Sequence, residues 1–386
     1  MIRQVPSLGS ECATASWLGI DPGVIAFVLP TFDCAGAQRD VILLANALNA
    51  RGVSVVILVL RNEGPLRSLI DPAIRIMEIP GRRIRYAIPG MRRTFRDLAP
   101  RIVLSSGPNL SLCCLAAIRS MPRKQQPKVI LREVNTPSYS EKFDSRWQDR
   151  IAYKILHFVY RYADRVITLT DGSRRELVEN FSIPGQKISV MRSNAVITPE
   201  FSDRIAGWDG EHGREPDLIV SLGRLAPEKD QRMLLRALVR VGQRRKWRLV
   251  LVGDGSERPA LEEFVRDNGL AEQTTFAGYA DDPFPWLMRA TLAVCSSTYE
   301  GLCNVIIEAL GCGTPVVSTD CPYGPREILQ NGRFGTLVPV GDSSAMAEAI
   351  EAALDRPVDR KVLMKRASNY TAERAADSFL EIVADL

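Results

Sequence analysis

Short runs of apolar and β-branched residues alternate with segments of helical periodicity along the whole chain. Such runs, bounded by polar turns, are typical of strands, and the longer periodic segments between them are typical of helices. This alternation predicts a parallel α/β fold, in which helices connect neighbouring strands. The first series of predicted elements comprises strands at Val24–Leu29, Val53–Leu60, Ile74–Ile79, Ile102–Ser105, Lys128–Leu131, Arg165–Thr170 and Ile188–Met191, with helices at Ala37–Ala50, Leu110–Arg119, Trp147–Arg161 and Ser173–Asn180.

A second series of strands follows a break in this pattern. Ile197–Asp217 is polar, contains Gly and Pro, and shows no periodicity, which is typical of an interdomain linker. We therefore expect two doubly wound, Rossmann-like domains at 1–196 and 217–368, with a linker at 197–216 and a cleft between the domains. Ligands bind such sheets at the carboxyl ends of the strands. The strands of the second series are predicted at Leu218–Leu222, Arg248–Val252, Thr274–Phe276, Leu292–Cys295, Pro315–Ser318 and Gly335–Val338.

Composition excludes several classes of function. The 386 residues are 46% hydrophobic, yet no apolar run approaches the ~20 residues that span a bilayer, and the start does not resemble a secretory signal. We expect a cytoplasmic protein. His157 and His212 are the only histidines, which leaves almost no material for a zinc site or a Ser-His-Asp triad. The cysteines form no CxxC pair and are expected to be buried, reduced thiols: Cys12, Cys34, Cys113, Cys114, Cys295, Cys303, Cys312 and Cys321.

Charge is distributed unevenly along the chain. Residues 1–196 carry 28 Lys and Arg residues and 16 Asp and Glu residues, a net charge of +12, whereas the remainder is acidic. Six arginines fall within residues 82–96 without one acid and alternate with apolar side chains. This run predicts either a surface that binds an anionic membrane or a solvated basic segment. Nucleic-acid binding is not expected, because no recognition module accompanies the arginines.

Two carboxylates stand in an otherwise apolar segment that ends a strand and begins a helix. Five of the seven residues between Glu300 and Glu308 are apolar or cysteine, so we expect burial, where an unsatisfied carboxylate is costly. Tyr299 to Leu302 would form the strand-to-helix turn, whose free N–H groups and helix dipole attract an anion. The carboxylates could thus hold polyol groups on either side of a phosphate, which is the shape of a sugar nucleotide.

Two cations follow the first strand of the second series. Arg224 and Lys229 flank a predicted helix start near Asp230, and a pair of cations suits a diphosphate better than a single carboxylate. Ordinary surface charge on an exposed turn is the alternative. The diphosphate is favoured because this turn lies on the same predicted sheet edge as Glu300.

Glycines mark the ends of further strands. Gly253 lies in Val252-Gly253-Asp254-Gly255, which does not match the GxGxxG dinucleotide fingerprint, and a tight structural turn explains it adequately. Gly278 and Tyr279 could lie beside a base. Gly36, at the start of the first helix, would let a ligand phosphate approach from the opposite domain, although a simple turn glycine is a competing interpretation.

Polar residues also end a strand in the first domain. Leu131-Arg132-Glu133-Val134-Asn135 places three polar side chains at the predicted edge of the cleft. That position suits contacts to an acceptor, or a polar catalytic group.

These segments together resemble the retaining, family 4 type of glycosyltransferase with the GT-B architecture, and in particular bacterial enzymes of cell-surface glycan assembly. The resemblance covers nearly the whole chain. It implies a final helix, within 369–386, that packs back on the first domain. The segments that support the resemblance are Gly223-Arg224…Lys229, Val252-Gly253-Asp254-Gly255, Gly278 and Ser297-x-x-Glu300-Gly301…Glu308.

The resemblance implies a role for each matching residue. Arg224 and Lys229 would bind the donor diphosphate and stabilise the departing nucleotide, so that neither a divalent metal nor a cofactor is required. Glu308 would hold the ribose hydroxyls and Glu300 the hydroxyls of the donor sugar. The remaining expected donor contacts are Gly36, Gly223, Gly253, Gly278, Tyr279, Gly301, Leu302 and Asn304.

One feature departs from the family pattern. Many relatives carry a histidine near the cleft in the first domain, where this chain has Arg132, Glu133 and Asn135 as unranked substitutes on the acceptor side. Asp320-Cys321-Pro322-Tyr323-Gly324-Pro325-Arg326-Glu327 is similar to enzymes that extend lipid-linked glycans with a hexose or N-acetylhexosamine. The resemblance therefore implies a UDP-sugar donor, a lipid-linked glycan acceptor and a peripheral position on the inner face of the cytoplasmic membrane.

Two other functions fit the same fold. A sugar-nucleotide 2-epimerase would need acid–base groups around the sugar, and the scarcity of histidine counts against it. A non-catalytic nucleotide-sugar-binding scaffold is disfavoured by the presence of Glu300, Glu308, Arg224 and Lys229.

Overall fold

The structure, a computed structural model, describes residues 23–33, 36–81, 83–136, 138–139, 147–206, 208, 213–280, 282–356 and 358–386. Among the residues singled out above, Cys12, Cys34, Arg82 and His212 lie outside these ranges, as do the side chains of Arg85 and His157. The described strands form two parallel sheets, one in each half of the chain.

The first sheet has seven strands in the order β3-β2-β1-β4-β5-β6-β7. The central strand β1 pairs with β2 on one side and with β4 on the other, for example Ile25 with Val55 and with Ile102. Chain order reverses at β1, which creates a crevice at the carboxyl ends of the strands. The strands are β1 Ile25–Leu29, β2 Val55–Val59, β3 Arg75–Glu78, β4 Ile102–Ser106, β5 Lys128–Arg132, β6 Arg165–Thr168 and β7 Ile188–Val190.

The second sheet has six strands in the order β10-β9-β8-β11-β12-β13. Here β8 is the reversal point, because it pairs with both β9 and β11. Its inner strands are buried on both faces, which explains their continuous apolar sequences. The strands are β8 Leu218–Leu222, β9 Arg248–Val252, β10 Thr274–Gly278, β11 Leu292–Cys295, β12 Val316–Thr319 and β13 Thr336–Val338.

Helices connect these strands and cover both sheets. Several begin at a side chain that caps free backbone N–H groups: Asp230, for example, accepts from the backbone N–H of Met233 at 3.2 Å. The helices are α1 Gly36–Asn49, α2 Ile88–Leu98, α3 Pro108–Arg119, α4 Trp147–Val159, α5 Asp171–Glu179, α6 Pro199–Ala206, α7 Gln231–Val241, α8 Arg258–Asp267, α9 Phe284–Arg289, α10 Asn304–Gly311, α11 Gly324–Ile328, α12 Ser343–Asp355, α13 Arg360–Ala367 and α14 Ala372–Ala384.

The two faces of the first sheet carry different helices. Buried side chains of α2, α3 and α4 pack with β-strand residues into one apolar cluster. The opposite face is covered by α1 and α14, whose cluster continues into the second half of the chain through α10. In α14, Phe379 packs against Phe27 of β1 with ring centroids 5.9 Å apart. Arg51 also donates to the Glu373 backbone carbonyl at 2.8 Å, so the final helix lies on the first sheet.

Every strand predicted above is present, and its observed bounds differ from the prediction by at most two residues at either end. The interpretation of Ile197–Asp217 as non-periodic was wrong, because α6 lies within it. Phe201 and Ile205, four residues apart, are buried on one face of α6. The Phe201 ring stacks on Phe284 of α9 with centroids 3.9 Å apart. This short helix therefore packs as part of the second half of the fold.

Within the described residues, no helix combines the length and the apolar character needed to cross a bilayer.

Candidate functional site

Three glycines meet where β8, β9 and β10 end. The backbone N–H of Gly253 donates to the Gly278 carbonyl at 2.8 Å, and that of Gly223 donates to Val252 at 3.0 Å. A Cβ on Gly253 would lie 2.0 Å from the Gly223 carbonyl oxygen, and Gly253 also has φ of 140°. Both the space and the backbone conformation therefore require glycine here. Gly223, Gly253 and Gly278 thus form a surface of backbone without side chains at the carboxyl edge of the second sheet, which we call the glycine floor.

Lys229 and Glu300 form an ion pair beside the glycine floor. The Lys229 ammonium lies 2.5 Å from Glu300 Oε1, which also accepts from Ser297 Oγ at 2.6 Å. The Lys229 carbonyl accepts from Ser296 Oγ at 2.7 Å, so two contacts join the loops after β8 and β11. Burial lowers the pKa of the Lys229 ammonium, but the Glu300 carboxylate and the thiols of Cys303 and Cys295 together raise it above its ordinary value. Lys229 is therefore a fixed positive charge.

Two buried thiols lie under the Glu300 loop. Cys295 Sγ and Cys303 Sγ are 3.3 Å apart, and Cys303 precedes α10 in the left-handed region with φ of 71°. With Glu300, their ligand atoms lie within 4.8 Å of one another, which is close enough to hold a metal ion. Glu300 Oε1 is already occupied by Lys229 and Ser297. We therefore interpret the thiols as packing beneath the loop.

Glu308 lies inside α10 and pairs with a cation from the other sheet. Its Oε1 accepts from Arg39 Nη1 of α1 at 2.7 Å, and the Glu308 side chain is only 7% exposed. Burial raises the pKa of Glu308, and the Arg39 guanidinium opposes that rise. The second carboxylate of the segment is thus bound across the cleft.

A buried polar network also crosses the cleft next to this pair. Asp40 Oδ1 accepts from the Asn304 amide at 2.6 Å, and Asp40 Oδ2 accepts from the Asn194 amide at 2.9 Å. Arg132 Nη2 donates to Asn194 Oδ1 at 2.7 Å. Burial raises the pKa of Asp40 and lowers that of Arg132, and their mutual attraction opposes both shifts. The network ties the start of α10 to three segments of the first domain.

The loop after β5 covers the donor side of the cleft directly. A Cβ on Gly301 would lie 1.8 Å from the Val134 carbonyl oxygen, so only glycine allows the two loops to approach. Thr136 Oγ1 contacts the Glu300 carbonyl at 2.8 Å and the Pro322 carbonyl at 3.0 Å. The two domains are therefore in contact at this point, and the loops are closed over one another.

Two further carboxylates lie on the first-domain side. Glu133 is buried and accepts from the Tyr160 hydroxyl and from the Asn135 backbone N–H, the latter at 3.0 Å. Glu176 of α5 accepts from the Ser138 backbone N–H at 2.9 Å, and its second oxygen is buried and has no hydrogen-bond partner among the described residues. Burial raises the pKa of Glu133 to about 7, and the nearby Glu176 contributes to the rise. Burial raises the pKa of Glu176 as well, so both carboxyl groups hold a proton more readily than an exposed glutamate does.

Comparison with known proteins identifies the family. Residues 35–193 match the family model described as "Glycosyl transferase 4-like domain", and residues 216–356 match "Glycosyl transferases group 1". The chain belongs to the group 1 glycosyltransferases. It is accordingly a glycosyltransferase, and the two facing parallel sheets are the GT-B architecture.

Relatives of this glycosyltransferase build bacterial glycans. The chain is 28% identical to the lipopolysaccharide core biosynthesis glycosyltransferase LpsE of Rhizobium meliloti, over 90% of this chain and 96% of that protein. It is 24% identical to the N-acetylgalactosamine-N,N'-diacetylbacillosaminyl-diphospho-undecaprenol 4-alpha-N-acetylgalactosaminyltransferase of Campylobacter jejuni, over 77% of each. A crystal structure of Anabaena HepE with UDP and glucose aligns with a TM-score of 0.73 and 19% identity, covering 94% of this chain and all of that chain.

Most expected donor residues of the glycosyltransferase lie at one edge of the second sheet, and the donor roles of Arg224, Tyr279 and Gly36 stay predictions. Arg224 is 70% exposed and pairs with Glu228, so it does not share the contacts of Lys229. Tyr279 is 48% exposed. Gly36 begins α1, and a Cβ there would meet no neighbour within 4 Å among the described residues. Expected donor residues at this edge are Gly223, Lys229, Gly253, Gly278, Glu300, Gly301, Leu302, Asn304 and Glu308.

The acceptor-side expectations need correction in two cases. Arg132 and Glu133 were expected to present polar side chains at the edge of the cleft, but their residues are 3% and 4% exposed. Arg132 points into the network with Asp40, and Glu133 points towards Tyr160. Asn135 is only partly buried. Arg132 is buried in contact with Asp40 and Asn194, and Glu133 is buried in contact with Tyr160.

Sequence reasoning missed the residues that cross the cleft. Arg39 and Asp40 are adjacent charged residues in the first turns of an otherwise largely apolar helix. This pattern is visible in the sequence, but it fits a solvent-exposed helix face equally well. Asn194 is a polar residue in a segment that proved to be buried. Their partners in α10 lie more than 100 residues away, so the pairing itself had no local signal.

The arginine run at 82–96 combines outward charges with apolar residues, some of which are only partly buried, and its role at a membrane stays a prediction. Met91 and Phe95 are fully buried against the sheet, whereas Arg92, Arg93 and Arg96 face outward. Met91 and Phe95 therefore belong to the core, whereas Tyr86, just before α2, is 64% exposed.

Proposed function

We propose that this glycosyltransferase transfers a hexose or N-acetylhexosamine from a UDP-sugar to a lipid-linked glycan acceptor, with retention of anomeric configuration. The observation that supports it best is the Lys229–Glu300 pair beside the start of α10. A fixed ammonium, free helix N–H groups and a positioned carboxylate are together suited to a diphosphate linked to a polyol.

The proposed chemistry depends on the departing nucleoside diphosphate. Negative charge grows on the β-phosphate as the sugar leaves, and Lys229 with the N–H groups at 301–304 would stabilise that charge without reorganisation. Ser297 and Lys229 hold the carboxylate of Glu300 in one orientation, suited to accepting hydroxyls of the donor sugar. The leaving phosphate would itself take the acceptor proton on the same face of the sugar. This mechanism retains configuration and requires neither a protein base nor a divalent metal.

Glu308 would accept the ribose hydroxyls. In the present structure Arg39 occupies that carboxylate from the opposite domain. Donor entry would therefore involve a movement of α1 relative to α10, after which Arg39 lies at the edge of the nucleotide site.

The acceptor is proposed from the relatives and from the charge of the first domain. The Campylobacter relative is named for a diphospho-undecaprenol substrate, and residues 1–196 carry a net charge of +12. A basic first domain suits a diphosphate-linked lipid and the anionic surface of the cytoplasmic membrane.

A thermal-shift screen tests the donor. UDP, GDP, ADP and their common sugar conjugates are added without metal, and we expect Tm to rise selectively with uridine compounds. A selective rise with GDP or ADP compounds would overturn the choice of base. No rise with any nucleotide would favour a non-catalytic scaffold.

A transfer assay tests the reaction. Labelled sugar should move from the donor selected in the screen to polyprenyl-diphosphate glycan, and NMR of the product should show the anomeric configuration of the donor. An inverted product would contradict the proposed mechanism, and hydrolysis without transfer would contradict the proposed acceptor.

A further inference from the structure

A stripe of apolar side chains faces outward on α4 and the turn that follows it. The spacing of Ile151, Ile155, Phe158 and Tyr162 places them along one side of a helix. Phe158 is 69% exposed and Tyr162 is 57% exposed, and both isoleucines are 48% exposed. They are among the most exposed large apolar residues in the part of the chain that the structure describes.

Packing against the sheet does not explain this stripe. The inner face of α4 already buries Ala152 and Leu156. Leu156 and Tyr160, which follows α4, belong to the apolar cluster of the first sheet. The outer apolar face therefore lies beyond what the fold itself needs. A contiguous exposed apolar surface of this kind is typical of a site that contacts a membrane or another protein.

The stripe shares one surface with the arginines of α2. The helices α2, α3 and α4 all cover the same face of the first sheet, and α3 packs against both of the others. Arg92, Arg93 and Arg96 point outward from α2 while Met91 points inward. We call the docking face the outward side chains Arg92, Arg93, Arg96, Ile151, Ile155, Phe158 and Tyr162.

We propose that the docking face binds an anionic lipid bilayer, with the α4 stripe inserted among the acyl chains near the headgroups and the α2 arginines bound to lipid phosphates. Apolar side chains beside basic ones match the layering of a bilayer surface. Charge complementarity favours this occupant, because the three arginines share α2 with a single acid, Asp97.

The orientation of both helices suits the proposed acceptor, on which this inference rests. The helices α2 and α4 follow β3 and β5 in a parallel sheet, where a connecting helix runs antiparallel to its strands, so each begins towards the carboxyl ends of the strands. A protein docked through this face would hold the edge of its cleft at the membrane surface. A lipid-linked glycan could then enter the cleft while its lipid remained in the bilayer.

Vesicle flotation of the full chain, without donor or acceptor, tests the docking face. We expect binding to vesicles of phosphatidylglycerol and phosphatidylethanolamine, and at least about tenfold weaker partitioning for Ile155→Ser/Phe158→Ser. Arg92→Glu/Arg93→Glu should also weaken binding about tenfold and abolish its salt dependence. Val362→Ser, which removes an exposed apolar residue of the second domain, serves as the matched control and should bind like the wild type.

Three results would overturn the inference. The first is that the wild-type protein does not bind the vesicles, and the second is that Ile155→Ser/Phe158→Ser binds them as well as the wild type does. The third is that the wild type does not bind vesicles but forms a concentration-dependent dimer, which the same variant abolishes. The last result would assign the face to a second copy of the chain.

Nucleotide binding separates this inference from the proposed function. A docking variant that loses vesicle binding but keeps the wild-type Tm rise with UDP-sugar supports both proposals. Wild-type vesicle binding without any nucleotide effect would support the docking face and overturn only the proposed transferase reaction.

Discussion

The two sides of the cleft treat buried carboxylates differently. On the donor side, Glu300 pairs with Lys229 and Glu308 pairs with Arg39, so each acid contacts a cation. On the first-domain side, Glu133 and Glu176 lie near each other, and within the described part of the chain neither forms an ion pair. Hydrogen bonds from Tyr160 and from the Ser138 backbone take the place of a cation.

This difference in partners indicates which side of the cleft is suited to a charged ligand. A cation beside a carboxylate favours the ionised form and holds the group in one orientation, which suits a site that must bind hydroxyls repeatedly. A buried carboxylate without a cation tends to hold a proton, and burial together with Glu176 raises the pKa of Glu133 to about 7. Each donor-side acid is thus held by a cation, whereas Glu133 on the other side has no cation partner among the described residues and is sensitive to pH.

Removing the donor-side cation is expected to have the largest effect. Lys229→Ala should lower kcat/KM about a thousandfold, because the developing phosphate charge and Glu300 both lose their cation. Steady-state kinetics with the donor selected by thermal shift measure the loss. Lys246→Ala, an exposed lysine of the same domain, is the matched control. If Lys229→Ala turned over like the wild type, the contrast between the two sides would not concern catalysis.

On the first-domain side, Glu133 should make the free energy of unfolding depend on pH. Because the folded-state pKa of Glu133 is raised from 4.5 to about 7, its contribution favours folding below pH 4.5 and is lost as pH rises through 7. For this single group the free energy of unfolding should fall by about 3 kcal/mol across that window. Glu133→Gln should flatten the fall, as measured by urea unfolding at pH 5 and pH 8.

The pH experiment on Glu133 has a matched control variant and one outcome that would contradict it. Glu179→Gln removes an exposed carboxylate from the same helix as Glu176 and should leave the pH dependence unchanged. An equal pH dependence in Glu133→Gln and the wild type would show that Glu133 does not hold its proton more tightly when folded.

Breaking the contact that joins the two sides should have the smallest effect. Arg39→Ala leaves Glu308 buried without its cation, so the carboxylate takes up a proton more readily and accepts ribose hydroxyls less well. We expect KM for the donor to rise about tenfold with kcat little changed. Arg61→Ala, an exposed arginine of the first domain, is the control. A fall in KM would instead mean that Arg39 competes with the donor for Glu308.

Local pattern predicted the strands well because most of them are buried on both faces, so their apolar runs need no knowledge of partners. The same reasoning failed for Ile197–Asp217. In α6, which is eight residues long, the apolar signal is only Phe201 and Ile205, and polar neighbours obscure it. Its stability depends on packing against Phe284 and Gly311, which lie far along the chain.

The candidate site divides in the same way. Gly253, Glu300 and Glu308 could be singled out because a glycine after a strand and an acid in an apolar segment are locally unusual. The cations that pair with those two acids could not both be predicted from the sequence. Lys229 was placed near a diphosphate rather than against Glu300, and Arg39 was not considered.

The sequence by itself determined two parallel α/β domains and the edge of the second sheet where the site lies, because periodicity and strand order depend on neighbouring residues. Only the tertiary structure decided the ionic partners, the burial of Arg132 and Glu133, and the outward apolar stripe on α4. Those properties depend on which surfaces meet when the two sheets close on each other. Contacts between residues distant along the chain leave no periodic trace in either segment.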